Sequence, residues 1–292
     1  MSSEPKFVFV ITAYNVRPFL GALVASLALQ RYPGWTAIFI DDASTDGTLD
    51  ALRSLLAAHR LTDKFHIVEN SERRYKAQNV FQSLSQHGAE DDVVVVLDGD
   101  DHLAVDDALD RLAREYEQGW EVVWSNWRGT DGRRGTSSHL NPFVSPRRQR
   151  FVSGHLFSFK RALFATLVER DFQDQQGRWL QAGCDVALAL PILDQTIKRK
   201  HIEDVLLVYN RANPLSHARA SLASPGSKTS LHATPSQAQT LQMLRRRRAK
   251  PLTLDQEFLQ AHLYEFMQAA AISSFAATQR QIASAQRLPP SG

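Results

Sequence analysis

Three carboxylates fall within four residues, Asp98-Gly99-Asp100-Asp101, directly after the apolar run "VVVVL" at 93–97. An Asp-x-Asp at the carboxyl edge of a rigid strand aims several oxygens at one point. Hard divalent cations such as Mn²⁺ or Mg²⁺ take oxygen ligands and usually share their shell with substrate phosphates. Gly99 has no side chain and would let a ligand approach the backbone closely. Taken alone, the same four residues also read as a polar turn that closes a strand. A further acid, Asp185, stands in "GCDVALAL" before an apolar helical stretch. There it could cap the helix or point into a cleft.

The surrounding pattern says what must position these acids. "KFVFVIT" (6–12), "WTAIFID" (35–41), "FHIVEN" (65–70) and "DVVVVLD" (92–98) are apolar runs of the kind buried on both faces of a parallel sheet. Between them lie helical spacings at 17–32, 48–59 and 72–88, and another follows at 106–116. Strand and helix alternate to about residue 120, which predicts an α/β fold with a mostly parallel sheet between helices. Ligands in such folds gather outside the carboxyl ends of the strands. Those ends carry Thr12–Asn15, Asp41–Asp46, Glu69–Arg74 and Asp98–Asp101.

Beyond 120 the alternation loosens. A strand is expected at 121–127, a mobile loop over the site at 128–150 and a helix at 153–167. A second helix at 185–195 should be kinked or ended by Pro191, and a strand follows at 201–211. Residues 214–238 read as loop. Residues 252–275 read as one amphipathic helix with Phe258, Leu259, Leu263, Phe266 and Met267 on one face.

The chain resembles the family 2 glycosyltransferases, on "FVFVITAYN", "IFIDDASTDGT" and "VVVVLDGDD" in the family's order and spacing, and more weakly on "GCDVALAL". The resemblance implies a GT-A fold, usually inverting, with a helical C-terminal extension here. Its divisions would be a nucleotide-sugar-binding half at 1–125, an acceptor-side half at 126–213 and the extension at 214–292. It implies that Thr12, Ala13, Tyr14 and Asn15 line the nucleotide pocket, with Tyr14 against the base. Asp42 would hydrogen-bond the base, and Arg74 would lie near base and phosphates. Asp98 and Gly99 would face the ribose and sugar, and Asp100 would bind a divalent cation, Mn²⁺ or Mg²⁺, with His217 as a late ligand. Asp101 would be structural and Asp185 the base, although Cys184 replaces the usual glutamate before it. Arg219 and Ser221 could touch the diphosphate, and His155 could face the acceptor. The donor would be a nucleotide-diphosphate sugar, most simply UDP-linked. The acceptor would be a saccharide or lipid-linked saccharide in bacterial surface polysaccharide or lipopolysaccharide assembly.

Composition excludes other classes. In 292 residues, 34 Lys and Arg oppose 31 Asp and Glu, too even a balance for wholesale nucleic-acid binding. One cysteine, Cys184, forbids an internal disulfide and points to a reducing, cytoplasmic setting. No apolar run suits a signal peptide or a spanning helix. The basic run "RRRRAK" (245–250) beside the amphipathic helix could touch an inner-membrane surface, though packing back on the domain is the plainer use. Two rivals remain. A haloacid-dehalogenase-like phosphatase would use Asp98 as nucleophile, but its motif belongs on the first strand and His102 stands where it needs Thr or Val. A non-catalytic GT-A binding module would have no need of Asp185.

Overall fold

The computed structural model describes residues 4–135, 137–214 and 237–285. Its centre is β1 (Phe7–Ala13), flanked in parallel by β2 (Trp35–Asp41) and β4 (Val93–Asp98), with β3 (Phe65–Glu69) parallel to β2. Alternation along β1 sends Phe7, Phe9 and Ile11 into one hydrophobic layer and Val8 and Val10 into the other. The first layer is covered by α1 (Leu20–Ala28), α2 (Thr48–Ala58) and α4 (Ala108–Glu117). The second is covered by α3 (Tyr75–Gln86) and α5 (Cys184–Asp194). A strand sandwiched this way has no polar face, which is why the runs are continuously apolar.

The sheet has eight strands in the order β3-β2-β1-β4-β7-β6-β8-β5, completed by β5 (His102–Leu103), β6 (Val122–Gly129), β7 (Phe157–Lys160) and β8 (Arg199–Tyr209). Its register sets Thr12 beside Asp98 and Ala13 beside Asp41, so the polar strand ends stand level along one edge. β5 pairs antiparallel with the end of β8, His102 opposite Val208. That pairing folds the acidic 98–101 turn back against the residues that follow β8. The boundary drawn at 125 falls inside β6, and both halves share this sheet.

The helix expected over 153–167 is instead β7 followed by a 3-10 helix, Arg161–Thr166. Phe157 and Phe159 alternate into one layer while the Ser158 hydroxyl faces the other way and accepts from the Tyr116 hydroxyl at 2.8 Å. A four-residue period-two signal is too short to stand out beside the apolar residues around it. Pro191 lies within α5, near its end.

The C-terminal segment forms α6 (Gln237–Arg246), α7 (Gln256–Ala261) and α8 (Leu263–Ala285). The single helix expected over 252–275 is interrupted at His262. Phe258, His262 and Phe266 close on the Trp120 ring at 5.0, 5.1 and 5.7 Å, whereas Leu263 and Met267 face outward. The basic run straps this segment to the domain. Arg247 donates to the carbonyls of Arg170, Asp171 and Gln173, and Lys250 reaches the Thr166 carbonyl and the Asp171 carboxylate. Arg245 donates to the Gln149 carbonyl at 2.6 Å. Three of the five cations are therefore used within the fold. Among the described residues, no helix is long and apolar enough to cross a membrane.

A buried ion pair anchors the same region. Arg147 and Asp194 meet at 2.7 Å with both side chains almost wholly enclosed, and Arg147 also donates to the Leu244 carbonyl. Arg147→Ala would leave a buried carboxylate without its counter-ion, a defect worth about 3–5 kcal/mol. A urea-denaturation midpoint lowered to match is the expected result.

Candidate active site

The level strand ends open into a cleft of about 220 Å³. Thr12 and Tyr14 come from the end of β1, Asp42 from the residue after β2, Asp98 from the end of β4 and Asp185 from the first turn of α5. Segments far apart in sequence thus converge where a parallel sheet places ligands.

Asp42 is buried and holds the loop that enters α3. It accepts from the backbone N–H groups of Arg74 (2.8 Å) and Tyr75 (2.9 Å), from Asn70 Nδ2 (3.0 Å) and from Arg73 Nε (3.1 Å). Burial alone would raise its pKa, but these donors outweigh burial and hold it below the usual carboxylate value. Asp42 is thus largely committed within the fold before any base arrives.

The guanidinium in the cleft is that of Arg73, not Arg74. Arg73 lies 3.4 Å over the Tyr14 ring centroid, whereas Arg74 turns its side chain to Gln82 and gives only its N–H to Asp42. Tyr75, the first residue of α3, has a left-handed φ of 63°, a sharp change of chain direction directly after the two arginines. Asn15 also departs from expectation. Its side chain accepts from the Thr45 N–H at 2.8 Å, so it braces the loop after β2 and does not line the cleft. Gly99 answers to packing: a Cβ there would stand 2.9 Å from the Ala13 Cβ and 3.1 Å from the Thr12 carbonyl oxygen. The missing side chain lets β4 end against β1.

Asp98, Asp101 and His155 each bring a ligand-type atom within 4.8 Å of the others. Asp101 is almost fully buried; one oxygen accepts from the Asn210 N–H at 2.7 Å. Its other oxygen is buried without a hydrogen-bond partner among the described residues. Burial and the charges of Asp98 and Asp100 push its pKa well above the ordinary value. Asp100 lines the cleft and accepts from Asn213 Nδ2 at 2.7 Å; burial and Asp98 raise its pKa too. A buried carboxylate oxygen without a donor, in a turn of acids driven away from ionisation, suits a cation. His155 stacks on Tyr209 at 5.3 Å and adds a nitrogen to the oxygen set. His217, Arg219 and Ser221 lie outside the described residues.

Asp185 does not cap α5; Gly183 does, with φ 77°. Asp185 sits in the first turn, where the positive helix end favours a carboxylate. Its Oδ1 accepts from Lys76 Nζ at 2.7 Å, and the same nitrogen lies 2.5 Å from Asp98 Oδ1. Cys184 is buried, which raises its thiol pKa and removes it as a nucleophile. Lys76, Arg73, Asn210 and Asn213 were missed by sequence reasoning. Arg73, Arg74 and Lys76 crowd a helix N-terminus, the wrong end for cations, and that signal could have found two of them.

The Glycosyl transferase family 2 description matches residues 8–171, more than half of the chain. The chain belongs to family 2 of the glycosyltransferases. Among its relatives, EpsE of Bacillus subtilis (strain 168), a glycosyltransferase by name, is 35% identical over 101 residues, 35% of each chain. Poly(ribitol-phosphate) beta-N-acetylglucosaminyltransferase TarS of Staphylococcus aureus is 30% identical over 131 residues, 44% of this chain and 22% of its own. The matched stretch thus spans about a third or less of these curated relatives. The TarS crystal structure superposes with a TM-score of 0.54 at 19% identity, covering 72% of this chain and 37% of TarS. Mannosyltransferase PcManGT from Pyrobaculum calidifontis, in complex with GDP-Man and Mn²⁺, gives 0.53 at 20% identity, covering 99% and 77%. The fold is GT-A, and family membership overturns the phosphatase reading of Asp98.

Proposed function

We propose that this family 2 glycosyltransferase moves a sugar, with inversion, from a UDP-linked donor to an acceptor hydroxyl during bacterial surface polysaccharide synthesis. The observation that carries the reading is the meeting of Asp185 and Asp98 on one ammonium in the cleft where the strand ends converge. An inverting displacement needs a base on the face opposite the leaving group, and Asp185 reaches the cleft from the first turn of α5, a different element from the strand end that carries Asp98. UDP as the nucleotide follows TarS, which has been solved with UDP. The polysaccharide context follows from the names of TarS and of TuaG, which is assigned to teichuronic acid biosynthesis.

Tyr14 and Arg73 offer the base a stacking platform, and Asp42 keeps the 73–75 loop in place to form its wall. Asp98, Asp100, Asp101 and His155 would hold a divalent cation, whose charge, when bound, stabilises the departing diphosphate. Asp185 would take the proton of the acceptor hydroxyl at its carboxylate. Turnover is tested by nucleotide release from UDP-sugars and GDP-mannose with Mn²⁺; release from one UDP-sugar is expected. Release from GDP-mannose alone would reassign the donor, and p-nitrophenyl phosphate cleavage without nucleotide release would defeat the reading.

His155→Ala should weaken Mn²⁺ binding about tenfold or more, because loss of even an outer partner of a metal site has that effect. Titration of free Mn²⁺ by electron paramagnetic resonance checks this. An unchanged affinity would remove His155 from the set.

A further inference from the structure

A second cavity, of about 540 Å³, lies between β8, residues 139–140 and α8, and it shares no lining residue with the cleft. Small-molecule sites span roughly 300–1,000 Å³, so the space is of ligand size. Its origin lies in the helix. Phe266 packs onto Trp120, but Ala269, nearly one turn further along α8, is too short to close the gap. The lining is neither oily nor singly charged. Trp124, Leu140 and Ile272 give apolar walls, while Glu203, Glu265 and Gln268 bring side-chain oxygens. The Lys200 ammonium, also in the lining, is already paired with Glu115 at 3.0 Å.

His201 makes the most specific demand on an occupant. It is 5% exposed, and its Nε2 lies 3.1 Å from Asn126 Oδ1. Asn126 gives its amide N–H to the Glu203 carbonyl, so Oδ1 is the accepting end and His201 Nε2 carries the proton. Burial and the neighbouring His139 push the His201 pKa down to about 3, which keeps the ring neutral and leaves Nδ1 a bare lone pair. That atom has no hydrogen-bond partner among the described residues, whereas buried acceptors are normally satisfied. A plain hydrocarbon would leave it unpaired, and an anionic head would meet the carboxylates of Glu203 and Glu265. A ring with hydroxyl groups and apolar C–H faces suits both the oxygens and the walls. We propose that this cavity is a saccharide-binding site, distinct from the cleft, in which a pyranose hydroxyl donates to His201 Nδ1. The site goes beyond glycosyl transfer and stands without it. On the transfer reading, a chain bound both here and in the cleft would be held at two points, which slows its release.

The test is saturation-transfer difference NMR of the full chain with glucose, galactose, mannose, N-acetylglucosamine and N-acetylgalactosamine, and with dodecanoate as an apolar probe. At least one sugar should bind. The variants are A269W, which fills the cavity from α8, H201F, which keeps a ring without the acceptor, and H201Q, which keeps an acceptor. A269W and H201F should each weaken the sugar about tenfold or more, the worth of one hydrogen bond to a buried group, and H201Q should recover part of the loss. Ala269 is only half-buried, so A269W keeps the test open if H201F fails to fold. Absence of sugar binding by the unaltered protein, sugar binding that persists in A269W and H201F, or binding of dodecanoate without any sugar would each overturn the proposal. Nucleotide release with water as acceptor separates this site from the cleft. A269W should lose the sugar with release unchanged, and loss of both in step would mean one site and overturn the proposal. An unaltered protein that binds sugar but releases no nucleotide would strike glycosyl transfer and leave this site standing.

Discussion

Asp185→Asn is expected to lower turnover about 10²- to 10⁴-fold while leaving donor affinity unchanged, the signature of a lost general base. The substitution keeps the volume and the place in α5 but removes the carboxylate that would accept the proton. Asp185 lies in the first turn of α5, behind the Gly183 cap, with the Lys76 ammonium on one oxygen. The charges of Asp185 and Asp98 in turn raise the Lys76 pKa well above its usual value, against the opposing effect of burial, so the ammonium stays charged. Nucleotide release and calorimetric donor affinity, measured side by side, check the prediction. Full turnover by the variant would show that the acceptor proton leaves by another route.

Asp100→Asn should remove the Mn²⁺ dependence of nucleotide binding and weaken it by about 100-fold or more, beyond the loss of an outer partner alone. The side chain is already held by Asn213, so the amide can keep that contact while losing its charge. Folding should survive, and a melting temperature verifies it. If Mn²⁺-dependent binding persists, Asp98, Asp101 and His155 suffice as ligands and Asp100 serves only to brace the 98–101 turn.

The part of the sheet around β1 was legible in the sequence because its signals are local and mutually consistent. β1, β2 and β4 are continuous apolar runs that end in polar residues, and a parallel sheet aligns such ends without further instruction. That pattern places Asp98 and Asp100 at the shared edge, whereas Asp185 comes from the family resemblance alone. What escaped depends on pairings between distant segments. β5 is two residues long and has meaning only opposite Val208 of β8, yet it brings Asn210 and Asn213 to the acids. β7 was read as a helix because its alternation covers four residues. Arg73 and Arg74 exchange roles directly before one positive φ at Tyr75, a backbone feature that residue type does not announce. Asp101 is structural, as its family position implies, through one oxygen; the second, buried without a partner among the described residues, comes from burial that no motif encodes.

Within the basic run at 245–250, Arg245, Arg247 and Lys250 take the plainer of the two uses weighed from the sequence, packing back on the domain. A cluster of cations beside an apolar helix suggests an anionic surface, but Arg245, Arg247 and Lys250 mostly reach backbone carbonyls of the domain. A strap and a surface patch have the same residue types, and only the fold tells them apart.

The central claim is that the cleft captures a nucleoside diphosphate through a divalent cation. The measurement that tests it most directly is calorimetric titration of the protein with UDP, GDP, dTDP and CMP, each with Mn²⁺ and with EDTA. The account predicts binding of UDP with Mn²⁺ and loss of that binding in EDTA. Absence of binding by every nucleotide under both conditions would contradict it.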